Sequence, residues 1–228
     1  MVIDMSGWIA LHGGGEFQRG SEIGDRRLIV AAGGADARVI VVPTAAGIDY
    51  PDIAARNGIE WFRKLGARAD AAMAVDATLA NDPTVVAKIE TATMIYLPGG
   101  DPAFLVNTLR GSKAWAAISA AHQRSVVIGG ASAGAMAFGT RMWNPHTGRL
   151  IDGLGLVPIV TLPHFRADRV KPARALREQL DRATRLFGLA ERTSAIWNGS
   201  TWTCWGPGEV VEFTPEGVMT YQSGESFA

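Results

Sequence analysis

The chain has 228 residues, 47% of them hydrophobic and 19% charged, with 22 basic and 22 acidic side chains. A net charge of zero supplies no footprint for nucleic acid or another polyanion, and a single cysteine, Cys204, excludes an intramolecular disulfide or a cysteine metal cluster. No apolar run reaches the ~18–20 residues of a membrane span, and the opening MVIDMSGWIALHGGGEF, with Asp4 and no basic segment, does not read as a secretory signal.

The remaining expectation is a cytoplasmic globular protein of one domain, 1–228, with no repeat, linker or low-complexity segment. Its elements follow in order. WIALH (8–12) reads as a strand ending in Gly13-Gly14-Gly15, and 22–33 as a helix. RVIVVP (38–43) is a β-branched strand. Residues 51–65 form an amphipathic helix with Ile53, Trp61, Phe62 and Leu65 as its apolar residues. A strand over 68–75, a helix over 83–91 and a strand over 93–98 lead to Gly99-Gly100-Asp101. Helices over 102–109 and 113–122, then the strand SVVIGG (125–130), precede a helix starting at Ser132. Beyond it, 141–155 is a loop or short hairpin, 156–162 a strand ending at Pro163-His164-Phe165, and 172–187 an amphipathic helix. The tail, 193–221, carries turn signals at Asn198-Gly199, Pro207-Gly208 and Pro215-Glu216-Gly217 and reads as antiparallel hairpins.

Strands apolar on both faces that alternate with helices predict an α/β fold. Its form is a three-layer sandwich with a central, mostly parallel sheet, helices on both faces and small antiparallel C-terminal hairpins. Ligands of such sheets bind at the carboxyl ends of the strands. Three glycine-rich junctions fall there by order of elements: 13–15, 99–100 and 129–134.

Within VVIGGASAGAMAFG (126–139), Gly130-Ala131-Ser132-Ala133-Gly134 fits G-x-S-x-G. Such a segment is either a tight strand-to-helix turn that needs small residues or a nucleophile elbow. In an elbow the serine Oγ stands above the sheet edge and the next N–H, here of Ala133, meets an oxyanion. A serine nucleophile needs a base. His164 ends a strand on the same sheet edge, and His12 ends another; His122 lies late in a helix and His146 in a polar loop. A histidine held by ordinary strand-end contacts is the plainer reading of His164. Spacing leaves Asp152, Asp168, Asp181 and Glu191 open as the group that orients the histidine.

These segments, in order, resemble the serine peptidases that include cyanophycinase and the aspartyl dipeptidase peptidase E, whose sheet is like that of class I glutamine amidotransferases. The likeness rests on LHGGGEF (11–17), VVPTAA (41–46), YLPGGDP (96–102), GGASAGAM (129–136), LPHF (162–165) and GLAERTSAIW (188–197). It implies Ser132 as nucleophile, His164 as general base, Glu191 as the residue orienting it, and an oxyanion hole from the N–H groups of Ala133 and Gly100. Departures bear on substrate. Pro102 stands where cyanophycinase has glutamine, and Arg166 and Arg169 do not reproduce its arginine spacing after His-Phe.

The expected function is a serine hydrolase acting on a peptide or isopeptide bond of a small acidic or β-aspartyl peptide. Asp101 and Arg166 are its substrate-binding candidates, and no metal or organic cofactor is implied. The plainer reading of Arg166 and Arg169 is a solvated pair leading into a helix. The expected partner is the small peptide, with no nucleic acid or membrane, and homodimer formation is left open. The rival expectation is a non-catalytic relative that binds a small molecule. A glutaminase is disfavoured because no cysteine stands at the elbow.

Overall fold

The structure, a computed structural model, describes residues 7–228. The reading of the opening segment falls partly on residues 1–6, outside the described residues. Strands β1 (Ile9–His12), β2 (Arg38–Val41), β3 (Arg68–Ala71), β4 (Met94–Leu97) and β5 (Val127–Ala131) are all parallel to their neighbours in the order β1-β5-β4-β2-β3. The helices between them are α1 (Glu22–Ala31), α2 (Pro51–Lys64), α3 (Pro83–Glu90), α4 (Pro102–Leu109) and α5 (Lys113–Gln123). Three of these start on side-chain caps: Asp82, Asp101 and Ser112 accept from the N–H groups of Thr84, Phe104 and Trp115, two of them with proline in the first turn.

Strand side chains alternate between two cores, as the period of two requires. Ile9, Leu11, Ile40, Ile95, Leu97 and Ile128 pack with α3, α4 and α5, while Ala10, Val39, Val41, Met94, Tyr96 and Val127 pack with α1 and α2. The helices therefore cover both faces of the sheet. Phe62 of α2 is fully buried, but Ile53, in its first turn, is 43% exposed and is not one of its core residues.

After β5 come a short helix α6 (Ala133–Ala137), the hairpin β6 (Arg141–Asn144) and β7 (Arg149–Asp152), then β8 (Ile159–Leu162) and α7 (Val170–Arg177). One expectation fails here. The helix expected over 172–187 stops at Arg177, and 185–189 is the strand β9 (Arg185–Leu189). The Arg177 guanidinium, itself buried, donates to the carbonyls of Asp181 and Thr184, and Asp181 accepts from the Thr184 N–H; these bonds satisfy a turn in place of helix. In β9, Leu186 faces the α7 side while Phe187 and Leu189 face the main core.

The tail forms antiparallel hairpins as expected, and these also extend both sheets. Strands β10 (Ser194–Trp197), β11 (Trp202–Trp205) and β14 (Ser226–Phe227) extend the central sheet antiparallel from β1 to eight strands. Strands β12 (Val210–Phe213) and β13 (Val218–Tyr221) join β9 and β8 in a second sheet, order β13-β12-β9-β8. The turns at Asn198 and Pro215 close hairpins, whereas Pro207-Gly208 carries the chain from one sheet to the other. Since α7 lies between β8 and β9, that pair is parallel. Among the described residues no helix is long and apolar enough to cross a membrane.

Candidate active site

The carboxyl ends of β1, β5 and β4 lie side by side, so all three glycine-rich junctions meet at one edge. Ser132 occupies the single position between β5 and α6, at φ 47° and ψ −109°. A non-glycine residue there is strained, by about 1–3 kcal/mol, and such residues collect at functional sites. The turn is held by its own surroundings: the Ser132 N–H donates to the His12 carbonyl (3.0 Å) and the Met136 N–H to the Ser132 carbonyl (3.0 Å). Gly134 passes so close to β4 that a Cβ would collide with the Leu97 carbonyl.

Ser132 Oγ lies 2.9 Å from His164 Nε2, and His164 Nδ1 lies 3.1 Å from Glu191 Oε1. The triglycine segment builds this line. The Gly13 carbonyl accepts from the His164 N–H (2.7 Å) and the Gly14 carbonyl from the Arg192 N–H (2.7 Å), so one backbone stretch fixes the loops after β8 and β9. His164 and Arg192 themselves have positive φ, 51° and 57°. The ring of His164 lies over Gly14, where any Cβ would strike it. With the carboxylate on Nδ1–H, Nε2 is left to accept from Ser132. Both partners of the His164–Glu191 pair are about half exposed, so the pair sets ring orientation rather than fold stability.

The other candidates go elsewhere. His12 shares the sheet edge with Ser132 through its carbonyl, but its ring points into the α1–α2 core, with Nε2 3.3 Å from Asp25 Oδ1 and both side chains fully buried. Trp61 Nε1 donates to Asp25 Oδ2 at 2.8 Å. Burial raises the Asp25 carboxyl to about 7 and lowers His12 to about 4. Of the acids left open by spacing, Asp152 pairs with Arg141 and Asp168 with Arg166, and Asp181 caps the Thr184 turn; only Glu191 meets His164. His122 is buried late in α5. Cys204 is buried in β11, and burial pushes its thiol up to about 11. Among the described residues no three His, Cys, Asp or Glu side chains converge as metal ligands would.

Gly100 and Ala133 flank Ser132, and among the described residues neither N–H has a hydrogen-bond partner in the fold. Glu16, which belongs to the LHGGGEF segment but carried no assigned role, accepts from the Gly99 N–H through Oε1 (2.7 Å) and so ties the loop after β1 to the loop after β4. Its signal in the sequence was position alone, directly after three glycines. Asp101, expected at the substrate, has its carboxylate occupied: Oδ1 accepts from Phe104 N–H (2.8 Å) and Oδ2 lies 2.6 Å from His146 Nε2. Burial raises that carboxyl, but the Phe104 N–H and the His146 ring outweigh it and hold it below the ordinary aspartate value. Arg166 borders His164 and is paired only loosely, at 3.6 Å, with Asp168.

Three hollows share His164 as a wall; besides the one that Arg166 and Arg169 line, two matter here. One, of about 670 Å³, is polar and includes Glu16, Asn57, Glu60, Lys64 and Glu191. The other, of about 590 Å³, contains Ser132, Ala133 and Gly100 and is walled largely by apolar side chains.

The chain is similar to known proteins in fold and in sequence. It is similar over its whole length to the crystal structure of a peptidase from an acI-B1 Actinobacterium, with a TM-score of 0.85, 25% identity, and 99% of this chain and 98% of that one covered. A candidate peptidase E protein from Listeria monocytogenes EGD-e shares the fold, with a TM-score of 0.60, 15% identity and 95% and 98% of the two chains covered. No curated protein matches. The sequence profile of Peptidase family S51 matches residues 9–203, most of the chain, and the protein belongs to that family of serine-type peptidases.

Proposed function

We propose that the protein hydrolyses a peptide or isopeptide bond of a small peptide, with Ser132 as nucleophile, His164 as general base and Glu191 as the carboxylate that orients it. The observation that carries this reading is the continuous line Ser132–His164–Glu191, with contacts of 2.9 and 3.1 Å, at a strained strand-to-helix turn. Ser132 Oγ attacks the scissile carbonyl as its proton passes to His164 Nε2. The oxygen that becomes negative is received by the free N–H groups of Ala133 and Gly100. When the tetrahedral intermediate collapses, the imidazolium gives its proton to the leaving amine, and an acyl ester remains on Ser132. Water then enters, loses a proton to the same Nε2, and releases the acid. Throughout, Glu191 accepts from Nδ1–H, which fixes the tautomer and stabilises the charged ring.

The acidic or β-aspartyl character of the substrate rests on Arg166 and Arg169, exposed cations beside His164 that can grip a carboxylate. Screening dipeptides and β-aspartyl peptides tests the reading. Turnover is expected and Ser132→Ala should lower kcat by roughly 10³-fold or more. Unchanged turnover in Ser132→Ala removes the nucleophile assignment, and binding without turnover would mean a ligand-binding member.

A further inference from the structure

We infer that the 590 Å³ hollow beside Ser132 is a selectivity pocket for a bulky apolar side chain on one of the two residues joined by the scissile bond. This inference rests on Ser132 being the nucleophile. Ser132, Ala133, Gly100 and His164 all line this hollow, so whatever side chain enters it is attached close to the reacting carbonyl. Its walls come from four separate elements: Met136 of α6, Trp143 of β6, Leu162 at the end of β8, and Pro172 and Leu176 of α7. The charged residues that line it, Asp168 and Arg169, are both exposed and therefore stand at its rim. A carboxylate drawn past the rim, away from Arg169, or an ammonium drawn past Asp168, would lose water without gaining a partner. An aliphatic or aromatic group gains from the same transfer, by about fourfold in binding for each methylene buried.

The wall is fixed, which is what separates a selective pocket from a greasy patch. Trp143 and Pro145 belong to a two-stranded hairpin that pairs with neither large sheet. That hairpin is tied to the start of α4 by His146 Nε2 on Asp101 Oδ2, at 2.6 Å, since Asp101 is at the same time the cap of α4. The polar hollow that shares the His164 wall, with three carboxylates and Lys64, offers the opposite environment.

The rate at which Ser132 is labelled by fluorophosphonates carrying methyl, hexyl, benzyl or carboxyethyl groups tests this without a known substrate. In the wild-type protein the benzyl and hexyl reagents should react about tenfold or more faster than the methyl and carboxyethyl ones. In Leu162→Glu and in Trp143→Ala the benzyl-to-methyl ratio should fall toward one. The ratio cancels any general change in serine reactivity or in the folded fraction. Equal rates for all four reagents on wild-type protein, or an undiminished ratio in both variants, overturn the pocket and leave the nucleophile standing. Failure of every reagent to label Ser132 removes the proposed function and the pocket with it.

Discussion

Among the side chains near Ser132, two histidine–carboxylate pairs lie close to one backbone segment and face opposite ways. The exposed pair, His164 with Glu191, is open to reagents. Replacing Glu191 by glutamine preserves size and leaves Nδ1 without its anionic partner, so activity should fall roughly 10²–10⁴-fold. The thermal midpoint should barely move, because the pair is about half exposed. Full activity in Glu191→Gln, measured on the best substrate, would assign the role to another group. The buried pair, His12 with Asp25, makes a different prediction. Unfolded, the two titrate near 6.5 and 3.8; folded, burial sets them at about 4 and about 7. Between pH 4 and 6.5 each state holds one proton on the pair, on the histidine when unfolded and on the aspartic acid when folded. The pair therefore adds little slope to stability there. In Asp25→Asn, His12 stands alone with its folded value below 6.5. The unfolded state then binds the extra proton, and stability present above pH 6.5 is lost as pH falls toward 4. Between pH 7.5 and 5 the variant should lose about 2 kcal/mol more than wild type, at 1.4 kcal/mol per pH unit below 6.5. Urea unfolding at the two pH values measures this; parallel changes in both proteins would contradict it.

At the scale of elements, α6 depends on a close approach to β4 that only a residue without Cβ permits. Gly134→Ala forces its methyl against the Leu97 carbonyl and should cost about 2–3 kcal/mol in denaturant unfolding, with loss of Ser132 reactivity. Gly217→Ala, which meets open space in the β12–β13 turn, is the control and should stay within about 0.5 kcal/mol. An equal effect at both sites would mean that the packing of α6 does not limit stability. The same elements explain what the sequence reveals and what it conceals. Strands β2, β4 and β5 are legible because runs such as RVIVV and TMIYL are apolar on both faces and end at proline or glycine. Strand β9 is concealed because Leu176, Leu180 and Phe187 continue the helical spacing of α7. The stop comes from Arg177 bonding to carbonyls four and seven residues on. Ser132 and His164 are legible as a turn motif and a strand end. Spacing leaves Asp152, Asp168, Asp181 and Glu191 open as the partner of His164; only the resemblance of GLAERTSAIW points to Glu191, and it is Glu191 that the fold brings to the ring. Glu16 is silent for the same reason: its partner, Gly99, lies 83 residues away.

For the molecule as a whole, the site exists only where two sheets meet. Ser132 belongs to the central sheet, while His164 and Glu191 leave the carboxyl ends of β8 and β9 in the second. The joint is made by the triglycine segment after β1 and by Phe187 of β9 against Trp202 and Phe227, with ring centroids 5.5 and 5.7 Å apart. On the proposed assignment, activation of the serine is a property of how the sheets dock, and it is tested most directly by the rate of Ser132 labelling with a small fluorophosphonate in wild-type and His164→Ala proteins. Labelling confined to Ser132 and slower by roughly 10²-fold or more without His164 is the result predicted here. Labelling of Ser125 or Ser194 instead, or of Ser132 at the same rate in both proteins, would contradict it.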